Sequence, residues 1–231
     1  MFLRYVAFVL LTLMGASHAR ATSYEAPLPV KLSTDPDLCA YVPCREVLPE
    51  SETYSNRKGL PTYVDAYRRV AGKQTLAGYV FLSTDIVDIP AYSGKPVVTL
   101  IGMDPKGIIT GIKILKHSEP ILLVGIPESE LTKFTRQYLG KFVGDKIHIG
   151  KAREQGGHIG IDAISGATVT VIAENQTILR SGHEIAKQVG ILQGKLWPPA
   201  KFLPATKPRD WQTLVDEGSV SRLTVSGADV G

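Results

Sequence analysis

The sequence predicts an α+β fold, a twisted and mainly antiparallel sheet with helices packed against it. Three observations point there. Residues 97–103 and 108–115 are apolar, β-branched runs on either side of Asp104-Pro105-Lys106-Gly107, where Pro and Gly occupy favoured turn positions, so they read as a hairpin. Leu76-Ala77-Gly78-Tyr79-Val80-Phe81-Leu82 is a further strand-like run. Val169, Ile172, Ala173, Leu179, Gly182, Ala186 and Val189 recur at three- and four-residue steps, as an amphipathic helix of about five turns requires.

Taken in order, residues 1–21 read as a secretory signal. Arg4 precedes an apolar run, Tyr5 to Met14, and Ser17-His18-Ala19 and Ala19-Arg20-Ala21 offer small-x-small cleavage sites. A retained anchor is the alternative, although a spanning helix needs about 20 apolar residues. Residues 22–59 are rich in Pro and polar groups without a sustained period, and read as an extension that packs onto a main domain at 60–193. There, Tyr63–Ala71 is expected to be a short helix, followed by the strand at 76–82 and the hairpin. In the second hairpin strand Ile108, Thr110, Ile112 and Ile114 alternate with their neighbours, consistent with one face covered by a core. Pro127 to Tyr138 is helical, with Glu128 and Glu130 in its first turn and Leu131, Phe134 and Tyr138 on one face. Lys146–Ile149 is a short strand, Gly150–Gly160 a Gly-rich polar loop, and Gly190 the end of the long helix. Residues 194–231 comprise a Pro-rich linker and the start of a further segment that stops without a closing element, as if the chain were cut.

Composition is that of a globular protein, with 44% hydrophobic and 21% charged residues. Removing residues 1–21 takes away Arg4 and Arg20 and no acidic residue, so the formal charge falls from +4 to +2. The remaining Lys and Arg are dispersed among Asp and Glu, which argues against a nucleic-acid partner. The two cysteines, Cys39 and Cys44, would meet an oxidising compartment after export. A local disulfide and a redox-active pair are both open; two thiols make an incomplete metal set, and the spacing lacks the haem-attachment pattern.

Chemistry is expected where the Gly-rich loop runs into the long helix, at Asp162-Ala163-Ile164-Ser165-Gly166-Ala167-Thr168-Val169-Thr170. A helix start presents unpaired N–H groups and the positive end of the helix dipole, which favour an anion such as phosphate. Gly166 and Ala167 would let that anion approach the backbone. The competing reading is a plain N-terminal cap through Ser165 or Thr168.

Asp162-x-x-Ser165-Gly166-Ala167-Thr168 resembles the signature of covalently flavinylated FMN-binding domains, found in Rnf and Na⁺-translocating NADH:quinone reductase subunits and in NosR/NirI proteins. The resemblance covers roughly residues 60–225. Residues 78–96 and 117–127 resemble the N-terminal periplasmic domain of the NosR/NirI family more than the Rnf type. It implies FMN attached through a phosphoester to Thr168 by a flavin transferase of the ApbE type. Asp162 and Ser165 would belong to the recognition and phosphate surroundings, Gly166 and Ala167 would supply clearance, and Thr170 would support. His117-x-Glu119-Pro120 looks like the His-x-Glu-Thr-Pro-Gly segment of the Rnf relatives without its Thr, which implies Glu119, Pro120 and Ile121 beside the isoalloxazine ring. His117 could equally be an ordinary hydrogen-bonding residue, and Tyr92 and Lys95 either reach the flavin or form a plain turn around Ser93-Gly94. The implied protein is a periplasmic electron-transfer component rather than a stand-alone enzyme, serving the nitrous oxide reductase system, or nitrite reductase in the NirI case. Full family members continue into a membrane portion with iron–sulfur motifs. The alternative implied role is a redox-sensing module that controls denitrification genes through the membrane part.

Overall fold

The computed structural model describes residues 27–150, 158–193 and 208–220. The expected signal segment, most of the Gly-rich loop and of the Pro-rich linker, and the terminal stretch from residue 221 lie outside the described residues. The chain divides into two compact units, Met1–Gln193 and Gly194–Gly231.

A five-stranded antiparallel meander organises the first unit: β1 (Thr53–Tyr54), β2 (Val64–Val70), β3 (Lys73–Leu82), β4 (Val98–Met103) and β5 (Ile109–Lys116), neighbours in chain order. β2 corrects the helix expected over Tyr63–Ala71. Its Val64 and Ala66 are fully buried and pair with Val80 and Gly78, and Ala71 and Gly72, with φ of 50° and 78°, supply the left-handed two-residue turn that a tight hairpin needs. The β4–β5 hairpin turns where the sequence places it. The Asp104 carboxylate accepts from the N–H groups of Lys106 (2.8 Å) and Ile108 (2.9 Å), so the turn is held by its own first residue. Strict alternation in β5 is broken by two register shifts, between Val98 and Thr99 and between Gly102 and Met103. Ile109, Ile112 and Ile114 therefore all meet the same core despite their mixed parity.

Both faces of the sheet are covered, not one. On the first face Phe81, Ile101 and Met103 pack with residues of the long helix and its neighbours. On the second, Val64, Val80, Leu82 and Leu100 meet Leu32, Leu38, Val42 and Val47 of the N-terminal extension. The extension contains a 3₁₀ turn at Leu38–Ala40 and the short helix α1 (Cys44–Val47), and Cys39 and Cys44 are joined by a disulfide. Its backbone lies on the sheet at Gly102 and Gly111, paired across β4 and β5. A Cβ on either would stand 2.2 and 2.5 Å from the Val47 carbonyl oxygen, so only glycine admits this approach. The Thr110 hydroxyl donates to the same oxygen at 2.7 Å.

Beyond β5 come α2 (Pro120–Val124), α3 (Glu128–Arg136) and a two-stranded parallel pair, β6 (Ile147–Ile149) and β7 (Ile159–Ile161). Leu131 and Phe134 are buried, as the period of α3 requires, and so is Tyr138, although the helix ends at Arg136, short of the expected Tyr138. α4 (Thr168–Gln188) spans 21 residues and ends at Gly190, where the Ile191 N–H returns to the Ala186 carbonyl at 2.8 Å. Its buried face differs from the expected one. Val169 and Ile172 are 51% and 43% exposed, whereas Thr170, Glu174, Thr177 and Ser181 are buried beside Val171, Ile178 and Ile185.

In the second unit the described residues form α5 (Trp211–Asp216), capped by the Asp210 carboxylate on the Thr213 N–H. No helix among the described residues is long and apolar enough to cross a membrane.

Candidate functional site

α4 begins at Thr168 with Ala167 at the N-cap, and no side chain caps it. The cap reading of Ser165 and Thr168 is thereby corrected. Both are exposed, and the first-turn amides of a six-turn helix are left without a side-chain acceptor. The chain reaches this start through Gly166 at φ 81°, a left-handed conformation that a side chain would strain. Asp162 is fixed just upstream, its N–H donating to Gln137 Oε1 (2.7 Å) and its carbonyl accepting from Gln137 Nε2 (3.1 Å), which ties the end of β7 to the end of α3.

Next to the helix start lies a cleft of about 480 Å³ lined by Tyr92, Pro120, Ile121, Gly166, Ala167, Thr168, Val169 and Thr170. That volume is within the ordinary range for a cofactor site. Three segments far apart in sequence are brought together: the loop at Tyr92, the start of α2, and the start of α4. No charged side chain lines the cleft among the described residues, so it offers apolar walls, hydroxyls and helix-terminal amides. Asp162 and Ser165 are exposed but do not line it, and neither does Lys95. Val169 does, although periodicity assigns it to the core.

Glu119 and His117 stand behind the wall rather than in it. Glu119 is fully buried, and its carboxylate accepts from the N–H groups of Tyr92 (3.2 Å) and Ser93 (3.0 Å) and from the Thr170 hydroxyl. One side chain thus joins all three segments of the cleft. His117, 1% exposed, accepts the Glu119 N–H on Nδ1 (3.2 Å) and places Nε2 3.7 Å from the Glu128 carboxylate at the start of α3. Pro120 and Ile121 form part of the cleft wall, and Glu119 lies behind it.

One turn along α4 lies a second buried acid that sequence reasoning misses. Glu174 is fully buried and accepts from the Thr99 hydroxyl of β4 at 2.8 Å; burial pushes its carboxyl up to about 8, against the lowering effect of that hydrogen bond. Its position four residues after Thr170 is the only signal in the sequence that could have found it. Tyr138, also buried, is raised by burial and by the nearby Glu174, and its hydroxyl donates to Asn175 Oδ1 at 2.7 Å.

The fold and the cleft define a class: residues 92–180 match the family model of the FMN-binding domain. The chain is 35% identical over 168 residues to the regulatory protein NosR of Pseudomonas aeruginosa, covering 71% of this chain and 23% of that protein. It is 34% identical over 167 residues to NosR of Stutzerimonas stutzeri, with the same coverage, 71% and 23%. With NirI of Paracoccus denitrificans it shares 29% over 154 residues, covering 67% of this chain and 21% of that protein. The segment is an FMN-binding domain of the NosR/NirI family. The chain spans less than a quarter of the length of these relatives.

The residues present suit FMN. An exposed hydroxyl at the first position of an uncapped helix can carry a phosphate, the helix amides can meet its charge, and apolar walls can take a flat ring.

Proposed function

We propose that FMN is joined to Thr168 through a phosphoester and that the exported domain passes electrons in support of nitrous oxide reductase. The observation that carries this reading is the Thr168 hydroxyl, exposed at the uncapped start of α4 and lining an apolar cleft within a segment that matches the FMN-binding family. The flavin supplies the redox chemistry. The chain would supply the anchoring oxygen, amides for the phosphate, and apolar surface from Pro120, Ile121, Tyr92 and Val169 for the ring. A flavin transferase of the ApbE type installs the group; the exposure of residues 165, 166, 168 and 169 leaves that enzyme a grip on the acceptor. The signal-like segment at 1–21 and the Cys39–Cys44 bond both suit the periplasm, where a covalent bond prevents loss of a cofactor that is hard to replace.

Intact mass after co-expression with a flavin transferase tests the attachment. The expected result is one FMN adduct, lost in Thr168→Ala and kept in Thr170→Ala. An adduct that survives Thr168→Ala sinks the assignment.

A second reading is favoured by the name that both NosR relatives carry, regulatory protein. In it, the flavin reports redox state and the membrane part relays it to denitrification genes. Transcript levels in a strain carrying Thr168→Ala separate the two: unchanged transcripts with lost nitrous oxide reduction favour electron transfer, and lost transcripts favour regulation.

A further inference from the structure

We propose that Glu174 is a proton site coupled to the redox state of the flavin that Thr168 would carry, taking a proton from water as the flavin gains an electron and releasing it on reoxidation. This rests on the reading of covalent FMN at Thr168. Glu174 belongs to the same helix as the attachment residue, six residues further on, which is roughly 9 Å of helix rise. It is fully buried. Its Oε1 accepts from the Thr99 hydroxyl (2.8 Å), and the Thr99 N–H donates to Ser83 Oγ (2.9 Å), which fixes the strand end that carries that hydroxyl. Its Oε2 is buried with no hydrogen-bond partner among the described residues.

The elements packed around it bring little charge. β4 presents Thr99, and the turn after β3 presents Ser83. Asp85 of that turn is engaged with Arg57 and Thr62. The end of α3 brings Tyr138, whose field and that of Glu174 act on each other. One turn earlier on α4, Thr170 is hydrogen-bonded to the buried Glu119 carboxylate. No cation among the described residues is paired with Glu174. A buried carboxyl in such surroundings favours its neutral form, and burial raises it to about 8.

Because Glu174 is fully buried, a negative charge added on the flavin is less screened at this carboxyl than at an exposed one. For a separation on the order of 10 Å and an effective dielectric of about 20, such an interaction changes the proton equilibrium by about tenfold. The electron comes from an external reductant and stays on the flavin; the proton comes from water and forms one O–H bond on the carboxylate. By linkage, ionising Glu174 makes the flavin harder to reduce by the same factor.

The test uses the full chain, loaded with FMN by co-expression with the transferase and reduced with dithionite. Midpoint potential is measured against pH for wild type, Glu174→Gln and Thr99→Val, and ¹³C carboxyl titration of Glu174 is followed in the oxidised and reduced protein. In wild type the potential curve bends near pH 8, and the Glu174 titration moves up by about one pH unit on reduction, the tenfold effect expected from Coulomb's law. The bend disappears in Glu174→Gln. In Thr99→Val, which loses the donor that favours the ionised form, it moves to higher pH. Superimposable curves for wild type and Glu174→Gln overturn the inference, as does a titration unmoved by reduction. Mass spectrometry keeps the two readings apart: a missing adduct at Thr168 sinks the covalent site itself, whereas an adduct present with an unmoved Glu174 sinks this inference alone.

Discussion

At the scale of single residues the site depends on two buried carboxyls with opposite duties. Glu119 is an acceptor that fastens the loop at Tyr92–Ser93 and the start of α4 to the start of α2. Glu119→Ala strands two backbone N–H groups and the Thr170 hydroxyl, and should lower stability by about 3 kcal/mol in urea denaturation. Thr170→Val removes one donor and leaves the carboxylate its backbone partners, so its cost should be smaller, about 1 kcal/mol. A double-mutant cycle then gives a non-additive pair. Glu174 behaves differently, because its folded carboxyl is raised from 4.5 to about 8 and keeps a proton that the unfolded chain releases. Its contribution is therefore fully present below about pH 4.5, is lost as pH rises toward 8, and is constant above that. Melting temperature followed across this window should fall in wild type and flatten in Glu174→Gln, with a difference on the order of a few kcal/mol at its upper end.

At the scale of elements, what the sequence made legible was what local chemistry dictates. The Asp104–Gly107 turn, Pro127 ahead of α3 and Gly190 behind α4 are each specified by the residue at the boundary, and each boundary lies where expected. β2 reads locally as a helix because Val64 and Ala66 become core positions only through pairing with β3, a partner that no local period reveals. α4 was recognised, but its face was misassigned for a related reason. Thr170 and Glu174 are buried because Glu119 and Thr99 receive them, while Val169 turns outward into the cleft and Ile172 is also exposed. The motif itself was legible as a string of small and hydroxyl residues; the platform behind it, built from Glu119 and His117, was visible only once three segments met. Gly166 connects these levels. Gly166→Ala would hold a left-handed residue at a cost of about 1–2 kcal/mol, or let the chain relax and shift the start of α4. Both a lowered melting temperature and a reduced flavinylated fraction by intact mass are expected, since the Thr168 hydroxyl is placed by that turn.

At the scale of the first unit the N-terminal extension completes a second core on the sheet and is not an appendage. The fold class followed from the hairpin and the long helix, but the second core was not legible, since Leu32, Leu38, Val42 and Val47 follow no helical or strand period. They are gathered instead by the Cys39–Cys44 bond and by the seat of Val47 on the Gly102–Gly111 pair. These two devices act on different states of the chain. The disulfide closes a loop with a sequence separation of 5, and removing it in Cys39→Ser/Cys44→Ser should cost about 2 kcal/mol, mainly through the unfolded state. Gly111→Ala puts a Cβ 2.5 Å from the Val47 carbonyl, strains only the folded state, and should cost roughly 1–3 kcal/mol. Because both faces share β3 and β4, either loss must be felt by the helical face and the flavin cleft as well. Urea unfolding followed by tyrosine fluorescence and by near-ultraviolet circular dichroism should therefore show one coincident transition in each variant, moved to lower urea. Two separated transitions would mean that the extension unfolds from the sheet on its own.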